Sequence, residues 1–274
     1  MTSKGKAGGK TTVQEVRKPF ITGSITDENT VKSSLFFFGT LIVVFFIAFI
    51  ACASASFSNL ILRLAMNLAV TVLALVIFFS NGSKHGAEAV ARGEILYQKK
   101  EKGRSFSDSE KRICYHAAKG FITGFAGTIP FLILAVVLAV NTSVQMTEAG
   151  TLPSWMQAYT NRSDIGNALV SYTQPEGMGA VDYIRALIRI CIIPFVNIIG
   201  YSNKTGLCTL ERLSPVILLL PAVSYGFGYM SGKNIRAKIH TAISENDKRR
   251  IRKEKKRKAA VNHNGNRREP EQLN

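Results

Sequence analysis

Uncharged apolar runs constrain this chain more than any other feature. The first extends from Ser34 to Ser58 and contains no Asp, Glu, Lys or Arg. Because an α-helix rises 1.5 Å per residue, about 20 apolar residues cross a hydrocarbon core of about 30 Å. This run is therefore long enough to span a membrane, and the composition of the chain must be interpreted region by region.

Three further runs have the same character. The run 59–80 is interrupted only by Arg63, and the runs 120–140 and 213–231 are uncharged. The prolines in these runs are compatible with spanning, because Pro is better tolerated in membrane helices than in soluble ones. The sequence therefore predicts an all-α integral membrane protein with a membrane domain over residues 34–232. Its transmembrane helices are predicted at about 34–56, 59–80, 120–140 and 213–231.

The segment 182–201 differs from these runs. Its uncharged part, 190–203, is too short for a full crossing. Arg185 and Arg189 are spaced i, i+4 and therefore lie on one face of a helix, as in helices that lie in the membrane interface. We predict a re-entrant or interfacial helix whose two arginines bind lipid headgroups. A short, tilted span with snorkelling arginines is the alternative.

The distribution of positive charge predicts the orientation of the chain. With four spans, the segments 1–33, 82–119 and 233–274 share one side of the membrane and carry 29 of the 35 Lys and Arg residues, whereas 141–212 carries five. Short cytoplasmic segments are enriched in Lys and Arg, so both termini are predicted to be cytoplasmic in a multi-pass cell-membrane protein. A fifth span at 182–201 would place the basic C-terminal segment outside.

The segments between the spans have distinct characters. Residues 1–33 are polar with little apolar periodicity, which predicts a disordered cytoplasmic arm. Residues 82–119 are predicted to form a cytoplasmic helical hairpin, with Ser107 and Glu110 as a capping box for its second helix, which would continue into the third span. Residues 141–181 are predicted to be an outer loop.

The C-terminal segment 233–274 is predicted to be a basic cytoplasmic tail. Ile235, Ile239 and Ile243 recur every four residues, which predicts an amphipathic helix along the bilayer surface. Beyond Asp247 the tail has too little apolar surface to fold on its own. The tail is expected to bind anionic lipid; a purely topogenic role and contact with RNA or the ribosome are the alternatives. The predicted lipid-binding residues are Arg185, Arg189, Arg249, Arg250, Arg252, Lys253, Lys255, Lys256, Arg257 and Lys258.

The sequence offers little catalytic chemistry. Apart from Asp182, no Asp, Glu or His lies inside an apolar run, although ion-coupled transporters and proton relays generally need ionisable groups at membrane depth. The four cysteines form no C-x-x-C pair, and the four histidines are scattered, so no metal site is predicted. We predict a non-enzymatic protein without a cofactor.

The order of elements carries one resemblance. The second span, the charged hairpin, the third span and the basic tail resemble the YidC/Oxa1/Alb3 insertase family over residues 59–140 and the tail. Members of that family hold an arginine in a hydrophilic membrane groove, which implies a possible groove at Arg63, with Asn67 one turn further on. The chain departs from the family pattern because Arg63 lies near a span end and the number of later spans differs.

Two functions are consistent with these patterns. The first is a scaffold or subunit of a membrane assembly, whose tail contacts anionic lipid and whose partner is another membrane protein or a second copy of the chain. The alternative is a transport or insertase-like component that moves a neutral or polypeptide substrate through a groove at Arg63 and Asn67. The sequence names neither partner nor substrate.

Overall fold

The computed structural model describes residues 16–54, 59–142 and 179–265, with a few residues between 154 and 165. Throughout this part of the chain, the regular secondary structure is helical. The helices are α1 (Glu28–Ser54), α2 (Leu60–Glu101), α3 (Asp108–Arg112), α4 (Lys119–Asn141), α5 (Ser154–Gln157), α6 (Ala180–Cys191), α7 (Ile193–Ile199) and α8 (Lys204–Gly265).

Four helices are long and apolar enough to cross a membrane: α1, α2, α4 and α8. This confirms the predicted all-α class and the number of candidate spans. The runs predicted to span at 59–80 and 213–231 are parts of much longer helices. Helices α2 and α8 both continue well past their apolar segments.

Helices α2 and α8 run parallel and pack along each other. The Ser224 hydroxyl donates to the Leu75 carbonyl at 2.8 Å, and the Ser83 hydroxyl donates to the Gly228 carbonyl at 3.1 Å. Further along, Glu94 contacts His240. The residue number rises along both helices from one contact to the next, as it does only in a parallel pair. We call residues 82–101 of α2 and 232–258 of α8 the stalk, because they extend the pair beyond the apolar segments.

Small residues allow this pair to approach closely. A Cβ atom added at Gly86 would collide with the backbone of Tyr229, and one at Gly232 would collide with the backbone of Gly86. Such close approach is the usual role of glycine at helix interfaces in membranes. The spacing Gly228-x-x-x-Gly232 therefore places two glycines on the face of α8 that meets α2.

The opposite end of the bundle holds the largest apolar core. It joins α4, α6, α7 and α8, and its fully buried members include Leu138, Ile188, Val196 and Leu218. Helices α6 and α7 are separated at Ile192 because Pro194 has no backbone N–H to continue the α6 ladder. With 12 and 7 residues they are each shorter than a membrane crossing.

The N-terminal segment differs from the sequence-based expectation. A disordered arm was expected over 1–33, but α1 already begins at Glu28, and residues 16–27 have no regular secondary structure. The Ile21 N–H donates to the Gly93 carbonyl at 3.1 Å, which fastens this segment to the stalk. Residues 1–15 lie outside the described residues.

The sequence had no means of revealing this attachment. It depends on backbone groups and on single side chains, such as Phe20 edge-on to Tyr115 at 6.0 Å between ring centroids. The Gly23 N–H also donates to the Tyr115 carbonyl at 2.9 Å. Isolated contacts of this kind leave no periodic pattern of apolar residues.

The predicted hairpin 82–119 is asymmetric. Its first arm is simply the end of α2, and its second arm is the short helix α3, which stops at Arg112 instead of continuing into α4. Ser107 is the N-cap of α3, as predicted, and accepts a hydrogen bond from the Ser109 N–H at 3.4 Å. A salt bridge of 3.0 Å from Lys99 to Glu110 ties α3 back to α2.

The basic tail is helical through Gly265, whereas the run beyond Asp247 was expected not to fold on its own. The physical reason is continuity. Starting a helix is the costly step, and adding residues with good helix propensity to an existing helix is not. Because α8 is already formed through its apolar segment, the Lys- and Arg-rich run extends it.

Candidate functional site

Arg185 and Arg189 share a buried carboxylate. The Arg185 Nε atom donates to Oε2 of Glu211 at 3.3 Å, and the Arg189 Nε atom donates to Oε1 of Glu211 at 2.8 Å. Glu211 is 2% exposed, and the Thr142 hydroxyl also donates to it. Arg185 has a second ion pair with Asp182 at 2.7 Å. The four charged groups form a network that joins α6 to α8.

The two arginines, which were predicted to bind lipid headgroups, have partners within the chain. They lie on one face of α6, as the i, i+4 spacing requires, but that face packs against α8. Arg185 is only 8% exposed and both guanidinium groups are ion-paired, because Glu211 would otherwise be a buried, uncompensated charge. Their contacts in the structure are therefore carboxylates of the chain itself.

A second buried carboxylate lies in the stalk. Glu94 is 5% exposed and accepts a hydrogen bond from Nε of Arg236 at 2.9 Å. Its other oxygen is 2.8 Å from Nε2 of His240, which is 7% exposed. A buried acid is stable only when it is paired and hydrogen-bonded, so these residues hold α2 and α8 in register outside the apolar segments.

Asn67 and Arg63 occupy different environments. Asn67 is 2% exposed, and its side-chain amide donates to the Arg63 carbonyl at 2.7 Å. Its amide oxygen lies 3.4 Å from the side-chain nitrogen of Asn197, which also donates to the Cys52 carbonyl. This linkage joins α1, α2 and α7. The Arg63 Nε atom is buried without a hydrogen-bond partner in the described part of the chain, and its guanidinium lies near Gly200.

The basic run of α8 projects beyond its companion helix. Helix α2 ends at Glu101, and the register of the pair puts that end beside α8 near residue 247. Every residue from 248 to 258 is exposed. Nine of these eleven residues are Lys or Arg, and Glu254 is the sole acid among them. The predicted residues Arg249, Arg250, Arg252, Lys253, Lys255, Lys256, Arg257 and Lys258 are thus brought together on one exposed helix.

A cavity of about 380 Å³ lies at the base of the stalk. We call it the basal cavity. Helices α1, α2, α4 and α8 all contribute to its walls, and both ionised and aromatic side chains line it. The lining residues that matter below are Asp27, Lys32, Ser33, Phe36, His85, Glu88, Arg92, Lys119 and Tyr229.

One ion pair of the chain lines the basal cavity. Lys119 Nζ lies 2.8 Å from Asp27 Oδ2, and both side chains are almost fully buried. Lys119 also donates to the carbonyls of Arg112 and Cys114 at 2.9 and 3.3 Å, so its three N–H groups are in use. Burial favours a raised pKa for Asp27, but hydrogen bonds from Lys119 and Thr30 outweigh it and hold that pKa below its ordinary value.

Several of these residues were missed by sequence reasoning. Glu211 lies just outside the predicted span 213–231, so it was not counted among groups at membrane depth. One signal was available in the sequence. Helix α6 carries two arginines on one face but a single acid near them, so burial of that face would need another carboxylate. Glu94 and His240 lie 146 residues apart, and nothing local in the sequence pairs them.

Across the described residues, the structure has no group of three or more His, Cys, Asp or Glu side chains suited to a metal ion. No known protein family, no curated protein and no solved structure matches the chain.

Proposed function

We propose that this chain is a non-enzymatic membrane scaffold or subunit that presents a basic helix to an anionic partner in the cytoplasm. The observation that carries the proposal is the stalk. Two helices that start in apolar segments stay paired well beyond them, and one then continues alone with nine Lys and Arg residues exposed. A helix that is polar on every side gains nothing from packing within its own chain, which favours a bridging role.

The length of the stalk bears on the kind of partner. Lys248 lies 17 residues beyond Ser231, where the last predicted span ends, which is about 25 Å along a helix. Attraction to anionic lipid falls off within a Debye length of about 8 Å at physiological salt. A straight stalk therefore favours an anionic partner away from the bilayer, such as RNA or an acidic protein surface. Anionic lipid remains the partner if α8 bends towards the membrane.

Buried ion pairs support a rigid element. Glu94, Arg236 and His240 fix the pairing of α2 and α8 in the stalk, and the segment 16–27 lies against it. Rigid presentation reduces the conformational entropy that a partner must remove on binding. The transport alternative would need the buried Asn67–Asn197 linkage to open, since Asn67 is inaccessible as it stands.

Two matched triple variants test the proposal. The first replaces Lys255, Lys256 and Arg257 in the run with Gln, and the control replaces Lys100, Lys102 and Arg104 near the end of α2. Binding of single-stranded RNA and of nanodiscs rich in anionic lipid is measured on the full chain over a range of salt. Each lost phosphate contact should lower the slope of log affinity against log salt by about 0.7 for single-stranded RNA.

The expected result is that the tail variant loses binding to one of these anionic ligands while the control retains it. The native size of the detergent-solubilised assembly should fall in the tail variant as well. The proposal fails if the two variants bind alike and run at the wild-type size. It also fails if the purified chain alone carries solute flux in liposomes that the tail variant leaves unchanged.

A further inference from the structure

The basal cavity lies at the depth where the apolar segments end. Lys32 is in the first turns of α1, and Lys119 is the first residue of α4. Arg92 lies beyond the apolar part of α2. Phe36, which is 62% exposed, lines the cavity on the side of α1 that continues into an apolar span. The cavity therefore opens where the headgroup layer meets the hydrocarbon.

Two of the three cations that line the cavity form no ion pair among the described residues. Lys32 and Arg92 are exposed, and neither has an ion pair within the part of the chain that the structure describes. Lys119, in contrast, is neutralised by Asp27. Glu88 is 3.9 Å from His85 and contributes the second carboxylate. Three cations against two carboxylates leave one net positive charge, which a monoanion would neutralise.

Tyr229 forms part of the cavity wall. It is 4% exposed and stacked on Tyr115 at 5.4 Å, and its hydroxyl is buried without a hydrogen-bond partner among the described residues. This oxygen has almost no accessible surface although the cavity is open, so the hydroxyl faces away from the cavity and the rest of the Tyr229 side chain lines it.

We propose that the basal cavity binds the phosphodiester of a membrane phospholipid headgroup. The phosphate lies between Lys32 and Arg92, while the acyl chains remain outside, beside Phe36. A volume of about 380 Å³ is within the range of small-molecule sites, roughly 300–1,000 Å³. The ligand is specified by its phosphate and by its position at the bilayer surface. The inference does not rest on the function proposed for the basic run.

Three probes separate the possible sources of the phosphate. Purified full-length protein in a non-ionic detergent is titrated with dihexanoyl phosphatidylglycerol, with glycerophosphoglycerol, which lacks the acyl chains, and with dihexanoylglycerol, which lacks the phosphate. Binding is measured by calorimetry and by native mass spectrometry. Wild-type protein should bind the first probe tightly, the second more weakly and the third not at all.

Charge-removing and cavity-filling variants locate the site. The double variant Lys32→Gln, Arg92→Gln should weaken binding of the lipid probe at least about tenfold, because each charge-assisted hydrogen bond contributes about a factor of ten or more. Ser33→Phe should reduce it by narrowing the cavity from α1 without changing charge. The matched control is Lys84→Gln, Lys100→Gln, which removes two exposed cations of α2 outside the cavity lining.

Each outcome bears on the proposal. Loss of binding in the charge variant and in Ser33→Phe, with wild-type binding in the control, supports it. Equal binding of the lipid and soluble probes keeps the phosphate site but overturns its assignment to a lipid. Wild-type affinity in the charge variant overturns the site itself. Because Lys32 and Arg92 are exposed and unpaired, their replacement should leave the melting temperature of the unliganded protein unchanged, and a lowered value would contradict the geometry described.

Discussion

Replacing Glu211 with Gln removes the carboxylate that Arg185 and Arg189 share. The substitution keeps the shape of the side chain but leaves both guanidinium groups without this partner. Breaking a buried ion pair by removing one partner costs about 3–5 kcal/mol. Arg185 retains Asp182 at 2.7 Å, and the Arg189 side chain is 27% exposed, so solvation offsets part of the loss. We therefore expect a loss of about 3 kcal/mol.

Thermal unfolding in detergent measures this loss. For a chain of this size, 1 kcal/mol shifts the melting temperature by about 2–4 °C, so Glu211→Gln should melt about 6–12 °C below wild type. The control is Glu254→Gln, the same change at an exposed position of α8, which should stay within about 0.5 kcal/mol.

A double-mutant cycle makes the test specific. Arg189→Gln alone leaves Glu211 paired with Arg185 and should cost less than Glu211→Gln. The double variant should cost clearly less than the sum of the two, because neither change then leaves its partner unpaired. The reasoning is refuted if Glu211→Gln melts within 2 °C of the Glu254→Gln control, since the carboxylate would then not be buried in an ion-pair network.

Two further predictions concern the stalk and its base. Gly86→Leu should destabilise the protein by about 1–3 kcal/mol or more, because the new side chain has to enter the space occupied by the backbone of Tyr229. Gly39→Leu, at an open position of α1, should leave the stability unchanged. The melting temperatures of the two variants check this prediction. Because the pKa of Asp27 is lowered in the folded protein, its stabilising contribution is present above the unfolded pKa and is lost as pH falls through the folded value, below about pH 4. Asp27→Asn should remove this part of the acid sensitivity and destabilise the protein at neutral pH by leaving Lys119 unpaired, as pH-dependent melting of both proteins would reveal.

The candidate spans could be predicted because their signal is local. The length of an uncharged run such as 34–56 can be counted in the sequence and compared directly with the thickness of a membrane. The helices themselves extend beyond these runs, as α8 does on both sides of 213–231. Hydropathy identifies the apolar part of a helix. It does not predict how far polar residues extend the same helix.

The candidate sites were harder to predict because they depend on distant pairs. The basic run of α8 is visible in the sequence as a cluster of charge, and its residues do share one exposed helix. The partner of Arg189, in contrast, is Glu211 on another helix, and its identity depends on how α6 packs against α8. The basal cavity likewise needs four helices to meet, which local patterns do not specify.

Labelling of single cysteines tests the central claim, that apolar helices cross the membrane and leave the basic stalk in the cytoplasm. The four native cysteines are buried and would be replaced by Ser, after which Asp164→Cys, Gln98→Cys and Lys255→Cys are introduced one at a time. These three positions are exposed in the structure. With a membrane-impermeant maleimide, the account predicts labelling of Asp164→Cys in intact cells, and of Gln98→Cys and Lys255→Cys only after permeabilisation. Labelling of Lys255→Cys in intact cells would contradict it.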